Sequence, residues 1–482
     1  MSEKVQIKVS DSASEGADLI LFKPKNEFIP RPFREKEFNG SSDSSILFHA
    51  AERREIYVGL GDPNRLTNDV YRRAAGTGIR RAIKADSNEL LIDVSDIEEA
   101  AEAIAEGLLI GAYAFDDFLT DQKVSGSIVV TLVAPKRSLK ALRERVNRGL
   151  SLGRATNYVR QLGNLPGNII NPKSLSDDSE KLSKSGGLTF RTWSKNELIK
   201  EGFGGLIAVG SGSINDPRLI QIDYTCSKKK APTIAVVGKA ITFDSGGLCL
   251  KEAGQMIEMK FDKMGGCSVL GIMKAVAELR PDCNVVGLLA AAENMTGASA
   301  YRPGDIVTTY DGKTVEVANT DAEGRIVLAD ALGYVRKKIK PNLVVDLATL
   351  TGACVVALGE ERAGLFCNDP ELSSLFQKCG EDAGEKVWPL PFEEEFESLI
   401  ESKVADVRNL GKTRWGGAST AATFLSQWTK GLPHIHLDIA GPAMSDGEKS
   451  YRGPGATGFG VRAVYQFIET WASAGGNKTE VL

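Results

Sequence analysis

The stretch NTDAEGR at 319–325 decides how the rest of this chain is interpreted. It places two carboxylates, Asp321 and Glu323, two residues apart, followed by a glycine and an arginine. A helical pattern of apolar residues begins only at Ile326. In an extended segment, residues i and i+2 point to the same side. The two carboxylates are therefore predicted to converge on one point just before a helix.

Converging carboxylates are typical of sites in which oxygen ligands hold hard cations. Acidic residues are also common at helix N-termini, where they interact favourably with the helix dipole. The stretch 319–325 alone leaves a metal site and an ordinary helix start both open.

Composition limits the classes of protein to be considered. A chain of 482 residues with 42% hydrophobic and 25% charged residues is typical of a soluble globular protein of two or three domains. A net charge of −4 provides no electrostatic footprint for nucleic acid or an anionic membrane. The longest apolar stretch, 347–358, is too short to span a bilayer. The N-terminus lacks the pattern of a signal or transit peptide, so we expect a cytoplasmic protein.

Cysteine and histidine usage narrows the possible metal ligands. All seven cysteines lie between Cys226 and Cys379 without a Cys-x-x-Cys pair, which predicts reduced, buried thiols. Of three histidines, His434 and His436 alternate along a predicted strand and are expected to be structural. Any metal site is therefore predicted to consist of carboxylates.

The N-terminal part, 1–150, is predicted to be a smaller α/β domain that carries no recognisable chemistry. A basic helix at 138–159 and a Pro/Asn-rich run at 164–172 follow, so 151–172 is predicted to be a linker helix and boundary. The strands predicted in this part are 56–60, 90–94 and 127–133, and the helices are 67–83 and 97–110.

The remainder, 173–482, is predicted to be a larger three-layer α/β/α domain with a mostly parallel central sheet. Sites in such sheets form at the carboxyl ends of strands. Lys239 and Asp244 are predicted to follow one strand, and Thr349 to Gly352 another. The predicted strands are 233–237, 285–290, 343–346 and 435–438, and the predicted helices are 268–279, 326–338, 419–430 and 461–473.

Two further segments contain candidate ligands. The Gly-rich segment 237–251 holds a lysine, an aspartate and a second lysine, and Asp262 precedes the glycines that open a helix. The four candidate carboxylates together carry four negative charges, which match two divalent cations. They are Asp244, Asp262, Asp321 and Glu323.

These segments closely resemble the leucyl (cytosol) aminopeptidase family. The stretch 319–325 matches the family's hallmark without a change, and the resemblance is strong over about 155–470. The first domain is similar only in size and position. Supporting matches lie at 238–251, 259–262, 346–353, 416–418, 437–442 and 455–462.

The resemblance implies two divalent metal ions per subunit, Zn²⁺ or Mn²⁺ with Mg²⁺ possible, and a bridging water that attacks the peptide. The tight site would use Lys239, Asp244, Asp262 and Glu323. The exchangeable site would use Asp244, Asp321 and Glu323. Lys239 would have to be neutral in order to donate a lone pair.

The resemblance also implies the remaining catalytic groups. Lys251 would stay cationic and stabilise the developing gem-diolate. Arg325 would hold bicarbonate, which would act as the general base. After Asp262 the chain departs from the family's pattern, since Lys263 precedes Met264.

The substrates implied by the resemblance are peptides with a free N-terminus, whose α-amine would ligate the exchangeable metal. Met259, Thr349, Gly352 and Ala440 would line an apolar pocket for a leucine-like first side chain. The assembly implied is a homohexamer.

Two other classes of function were weighed. A dinuclear phosphoesterase usually has histidine ligands, which this chain does not offer in its candidate segments. A non-catalytic scaffold or DNA-binding second role stays open, although the net charge of −4 disfavours DNA.

Overall fold

The structure is a computed structural model that describes residues 5–14, 16–27, 36–120, 126–448 and 450–476. The chain divides into two compact units. The first comprises 1–157 with 445–455, and the second comprises 158–444 with 456–482. The boundaries at 150 and 173 were predicted from a basic helix and the Pro/Asn-rich run that follows it. The division between the units falls inside the long helix Leu139–Asn164.

The first unit is built on a six-stranded sheet of order β1-β6-β5-β2-β4-β3, in which only β3 pairs antiparallel. The strands and helices predicted there are present, and β1 to β3 were not predicted. Its strands are β1 (Val5–Ser10), β2 (Asp18–Pro24), β3 (Ser45–His49), β4 (Arg54–Gly61), β5 (Glu89–Asp93) and β6 (Ile128–Val133), and the helices are α1 (Asn68–Lys84), α2 (Ala101–Gly111) and α3 (Leu139–Asn164), which continues into the second unit.

The second unit alternates strands and helices through most of its length. Its helices are α4 (Pro172–Gly186), α5 (Lys195–Glu201), α6 (Gly204–Gly210), α7 (Ala253–Met256), α8 (Met264–Leu279), α9 (Glu323–Tyr334), α10 (Gly352–Leu358), α11 (Pro370–Ala383), α12 (Gly417–Ser426) and α13 (Val461–Ser473). Its strands are β7 (Thr189–Trp193), β8 (Arg218–Tyr224), β9 (Thr233–Asp244), β10 (Asn284–Asn294), β11 (Ile306–Thr308), β12 (Thr314–Glu316), β13 (Leu343–Ala348), β14 (Ala363–Cys367), β15 (Val387–Pro389), β16 (Val407–Arg408) and β17 (His434–Asp438), with β18 (Met444–Ser445) and β19 (Gly455–Ala456) at the junctions between the units.

The main sheet of the second unit has eight strands in the order β15-β14-β17-β13-β9-β10-β8-β7. Its four central strands, β17, β13, β9 and β10, are parallel, so their carboxyl ends lie at one edge. Helices cover both faces of this mostly parallel sheet, which confirms the predicted fold class. The second unit also contains a small three-stranded sheet of order β11-β12-β16.

Strand alternation places Lys239 on the face of the sheet that α9 covers. Ala235 and Val237 of β9 share a buried apolar cluster with Ile326 and Val327 of α9. Since alternate residues of a strand face the same side, Lys239 points toward α9 as well. The strand therefore delivers a lysine to the beginning of the helix that carries Glu323.

On the sheet, α8 packs with almost no side chain between the backbones. A Cβ built on Gly265 would lie 2.1 Å from the carbonyl oxygen of Leu347 in β13, and one built on Gly238 of β9 would lie 2.5 Å from the carbonyl oxygen of Gly265. This close approach brings the N-terminus of α8, and Asp262 just before it, onto the edge of the sheet.

Two local predictions were wrong. Lys239 and Asp244 do not follow a strand, because β9 continues to Asp244. The motif is not extended up to Ile326, because α9 already begins at Glu323. Gly324 lies inside α9, because tertiary packing overrides its weak helix propensity. A Cβ there would lie 2.5 Å from Cε of Lys239.

The cysteines agree with the prediction of free thiols, but Cys249 and Cys367 are half-buried and not buried as predicted. All seven cysteines are free, and Cys226, Cys267, Cys283, Cys354 and Cys379 are buried. Within the described ranges, no helix combines the length and the apolar character needed to cross a bilayer.

We predict that Gly265→Ala lowers stability, because the added methyl would collide with a backbone carbonyl that cannot rotate away. Overpacking of this kind costs about 1–3 kcal/mol. The midpoint of urea unfolding should fall, whereas Gly254→Ala should not lower it, since among the described residues nothing beyond the local backbone lies within 4 Å of a Cβ at Gly254. Equal midpoints for the two variants would contradict the close packing of α8.

Candidate metal centre

Four carboxylates gather at the carboxyl edge of the main sheet. Asp244 is the last residue of β9, and Asp262 follows a 3-10 turn at Met259–Phe261. Asp321 lies in a turn, and Glu323 is the first residue of α9. Asp244, Asp262 and Glu323 are buried, and each offers an oxygen within 4.8 Å of the others.

Lys239 lies between two of these carboxylates. Its Nζ is 2.7 Å from Oδ1 of Asp262 and 2.8 Å from Oε1 of Glu323. It also donates a hydrogen bond of 2.9 Å to the carbonyl oxygen of Thr349. Burial alone would lower the pKa of Lys239, but the surrounding carboxylates raise it above its ordinary value. In this structure Lys239 is therefore an ion-pair partner of the carboxylates.

Lys251 lies between the other two carboxylates. Its Nζ is 2.9 Å from Oδ2 of Asp244 and forms a second, shorter ion pair with Asp321. Burial opposes its charge, yet Asp244 and Glu323 contribute to raising the pKa of Lys251 above its ordinary value. This lysine therefore stays cationic at neutral pH.

The charges in this cluster do not balance. Four carboxylates face two lysines, which leaves two negative charges in a largely buried site. Among the described residues, no hydrogen-bond donor reaches Oδ2 of Asp262 or Oε2 of Glu323. Buried carboxylate oxygens without donors are costly unless a cation coordinates them. The donor set therefore fits divalent cations, as predicted from the sequence.

The raised pKa values of three of the carboxylates also support a cation site. Burial, followed by the neighbouring negative charges, raises the pKa of Asp321 and Glu323. For Asp262, burial raises the pKa and the ion pair with Lys239 only partly offsets it. Such crowding of like charges is the usual signature of a functional site.

Arg325 lies in the first turns of α9 and is only 6% exposed. Within the described part of the chain, its Nε has no hydrogen-bond partner. Burial lowers the pKa of Arg325 to about 10, against the opposing charges of Glu323 and Asp438. A buried guanidinium with a free donor fits a small anion.

The structure places two of the four predicted pocket residues in helical elements and two in loops that follow strands. Met259 is half-buried in the 3-10 turn, and Gly352 is exposed at the start of α10. Half-buried Thr349 and Ala440 follow the parallel strands β13 and β17. The hydroxyl of Thr349 donates a hydrogen bond of 2.8 Å to Asp262, so this residue also supports a candidate ligand.

Sequence reasoning missed the side chains that join the ligand segments. Asn294, the last residue of β10, donates 2.8 Å and 3.0 Å hydrogen bonds to Oδ1 of Asp244 and the carbonyl of Thr320. Tyr301 donates to the same carbonyl. The hydroxyl of Thr320 donates to the carbonyl of Gly246. The position of Asn294 at a strand end was the available signal.

Asn409, which follows β16, was also missed, and it secures the motif itself. Its Oδ1 accepts hydrogen bonds from the backbone N–H groups of Ala318 and Asn319. Its Nδ2 donates to the carbonyls of Asn319 and Ala322. The side chain is 0% exposed. One amide thus fixes the backbone on both sides of Asp321, and no sequence pattern marks it.

The two strand histidines have the structural role that was predicted. Nε2 of His434 and Nδ1 of His436 each lie 2.6 Å from an oxygen of Asp346. Burial alone would raise the pKa of Asp346, but the two histidines hold it at about 2. At the end of the same strand, Asp438 accepts a 2.7 Å hydrogen bond from the hydroxyl of Thr351. These contacts fix the loop that follows β13.

Comparison with known proteins agrees with this geometry. The chain matches the catalytic domain of the cytosol aminopeptidase family over 157–465 and the N-terminal domain of that family over 11–122. A probable cytosol aminopeptidase of Roseiflexus castenholzii is 40% identical over 98% of this chain and 100% of its own length. That of Aquifex aeolicus is 43% identical over 85% of this chain and 83% of its own.

Among solved structures, the bottromycin maturation enzyme BotP in complex with Mn superposes with a TM-score of 0.87. It is 32% identical, and the match covers 95% of this chain and 100% of that one. The two family models cover residues in both units, and the catalytic-domain model includes the motif at 319–325. The chain belongs to the cytosol aminopeptidase family.

Proposed function

We propose that this protein is a metal-dependent aminopeptidase that releases apolar, leucine-like residues from the N-termini of peptides. The observation that carries the proposal is the buried cluster of four carboxylates and two lysines at the carboxyl edge of the sheet. Membership of the cytosol aminopeptidase family supports the type of reaction.

Two divalent cations, Zn²⁺ or Mn²⁺ with Mg²⁺ as an alternative, would be held by the cluster. The tight site would comprise Asp244, Asp262, Glu323 and Lys239, whose ammonium would have to give up a proton when the ion binds, and the exchangeable site Asp244, Asp321 and Glu323. When bound, such ions supply Lewis acidity and lower the pKa of a coordinated water to about 7. The unpartnered oxygens of Asp262 and Glu323 support this assignment.

Lys251 would act on the substrate itself. Its ammonium lies beside Asp244 and Asp321, and the side chain is 12% exposed. Lys251 would therefore border the space that a peptide occupies. A fixed positive charge there would stabilise the negative charge that develops on the oxygen of the scissile carbonyl. It would do so without reorganising, because two carboxylates already hold it in place.

Arg325 would hold bicarbonate, which supplies a general base. The buried guanidinium with an unpartnered Nε supports this proposal. Among the carboxylates near the cluster, Asp438 is occupied by the hydroxyl of Thr351 and by backbone N–H groups. It is therefore poorly placed to accept the proton itself.

Recognition of the substrate would depend on its polar α-amine and its apolar first side chain. The free α-amine would bind near Asp321, because this residue is only half-buried. The first side chain would lie against Met259, Thr349, Gly352 and Ala440. The proposal includes assembly as a homohexamer and a cytoplasmic location, and both remain predictions.

The proposed activity predicts cleavage of leucine p-nitroanilide and no cleavage of its N-acetyl form. Chelation should abolish release of the chromophore, and Zn²⁺ or Mn²⁺ should restore it, because the carboxylates would lose and regain their cations. Release of p-nitroaniline is followed by absorbance. Equal cleavage of both substrates, or full activity after chelation, would contradict the proposal.

Arg325→Ala should leave metal content unchanged and lower kcat, because the carboxylate ligands stay in place while the anion site is lost. Added bicarbonate should restore part of the activity. Metal content is measured by atomic emission, and Arg302→Ala, at an exposed arginine paired with Asp305, serves as the control. Loss of metal from Arg325→Ala without rescue would show that the role of Arg325 is misassigned.

Asn409→Ala should lower metal affinity, because the backbone on both sides of Asp321 loses its anchor. Loss of such supporting contacts typically costs about 10–100-fold in affinity. Titration calorimetry with Mn²⁺ measures the change.

The matched control for Asn409 is Asn284→Ala, at the first residue of β10. Asn284 also bridges backbone groups, accepting from Cys226 and donating to Ala231. This control should lower stability and leave Mn²⁺ affinity unchanged. Equal Mn²⁺ affinities for both variants would show that Asn409 supports the fold and not the site.

A further inference from the structure

Two buried cysteines lie near the ends of strands β8 and β10, at the edge of the main sheet opposite the candidate metal centre. Cys226 follows β8 by two residues, and Cys283 directly precedes β10. Their side chains are 8% and 0% exposed, and both thiols are free. A buried cysteine usually packs as a small apolar side chain. The position of these two relative to each other gives them a further property.

The pairing of the two strands places the cysteines opposite each other. The strands are antiparallel, and Tyr224 of β8 lies opposite Val285 of β10. The same register, continued by two residues, places Cys226 opposite Cys283. Alternate residues of a strand point to the same side. Both thiols therefore lie on the side of the sheet that Tyr224 and Val285 share.

Two contacts show that the segments stay together beyond the strands. The backbone N–H of Cys226 donates a 2.9 Å hydrogen bond to Oδ1 of Asn284, which follows Cys283. Nζ of Lys228 lies 2.6 Å from Oδ2 of Asp282, which precedes Cys283. Cys283 is thus flanked on both sides by residues that bind the segment of Cys226.

The separation expected for such a pair is close to that of a disulfide. Directly opposed residues of an antiparallel pair have Cβ atoms about 4.5–5.5 Å apart, whereas a disulfide requires about 3.5–4.5 Å, so an approach of about 1 Å suffices. Both cysteines lie just outside the strands, since β8 ends at Tyr224 and β10 begins at Asn284. The approach therefore does not require the sheet to open.

The surroundings make Cys226 the more reactive of the two thiols. Its Sγ accepts a 3.4 Å hydrogen bond from the backbone N–H of Lys228, and the three lysines at 228–230 are exposed. Hydrogen-bond donors and positive charges stabilise a thiolate, which is the nucleophilic form of cysteine. Burial, followed by the neighbouring Cys226, raises the pKa of Cys283 to about 12, so this thiol stays protonated.

We propose that Cys226 and Cys283 form a reversible disulfide when the protein is exposed to hydrogen peroxide. The sulfur of Cys226 attacks one oxygen of the peroxide and the O–O bond breaks, which gives a sulfenic acid and one water. The sulfur of Cys283 then displaces the hydroxyl group, which leaves with the thiol proton as a second water. Two thiols lose two electrons in total, and one peroxide is reduced to two waters.

The disulfide would close a loop around the segment that carries most of the candidate ligands. Residues 227–282 include three of the four residues of the proposed tight site, Lys239, Asp244 and Asp262. A disulfide stabilises a protein mainly by restricting the unfolded chain within the loop that it closes. Oxidation should therefore slow the release of bound metal. This consequence rests on the proposed function, whereas the disulfide itself does not.

The disulfide is tested by mass spectrometry of the reduced, full-length protein after treatment with hydrogen peroxide. Remaining thiols are blocked with iodoacetamide before digestion without reductant. One dominant linked pair of peptides should contain Cys226 and Cys283, and dithiothreitol should separate it. Cys379→Ala removes another buried cysteine and should form the link as wild type does.

Two further variants separate the steps of the oxidation. Cys283→Ala should stop at the sulfenic acid of Cys226, which dimedone traps. Cys226→Ala should form neither the link nor a dimedone adduct at Cys283. In the metal-free state, oxidised wild type should melt above reduced wild type, and peroxide should not raise the melting temperature of Cys283→Ala.

The consequence for the metal is measured as the rate of Mn²⁺ release into excess EDTA. The rate should fall several-fold in oxidised wild type and stay the same in Cys283→Ala treated with peroxide. Equal rates in oxidised and reduced wild type, with the link formed, would refute this consequence. Absence of Mn²⁺ binding by reduced wild type would refute the proposed function and leave the linkage and melting comparisons valid.

The disulfide would be rejected by any of three results with wild type, which does not depend on whether a variant folds. They are no link at peroxide concentrations that convert Cys226 to a sulfenic acid, a dominant link to another cysteine, and equal melting temperatures of the reduced and the oxidised protein.

Discussion

Much of the second unit is organised around a charge imbalance at one edge of its sheet. Asp244, Asp262, Asp321 and Glu323 lie close together in a largely buried place, with only Lys239 and Lys251 to oppose them. Such an arrangement is unfavourable unless cations complete it. Each carboxylate must therefore be held by neighbours that do not depend on the others, and the surrounding structure does this.

Neutral groups position the site together with the two lysines. Asn294 donates a hydrogen bond to Asp244, and Thr349 donates one to Asp262. Asn409 forms hydrogen bonds with the backbone around Asp321. Amides and hydroxyls can orient a carboxylate without neutralising it. The negative charge thus stays available, while the geometry of the site is already formed.

The chemistry of the site was predictable from the sequence because it is concentrated in short motifs. The four candidate carboxylates were identified from residue type and spacing, the roles of the two lysines and of Arg325 came from the resemblance to the family, and the central parallel strands followed from their apolar runs. The exact limits were not predictable. The strand β9 continues through Lys239 because both its faces are buried, and α9 begins at Glu323 because Lys239 packs against Gly324. Asn409 was unpredictable for another reason, since its partners lie about ninety residues away in the chain.

The candidate ligands come from three separate segments, the end of β9, the turn before α8 and the start of α9. Strand β9 carries Lys239 and Asp244 of the proposed tight site, whereas Asp262 and Glu323 come from the other two segments. During folding, the apolar core between β9 and α9 can form without the carboxylates meeting, since it consists of residues such as Ala235 and Ile326. Repulsion among like charges opposes only the final docking of the edge. We therefore expect the order of events to be collapse of the core first and closure of the charged edge last, with metal capture as the step that makes closure permanent.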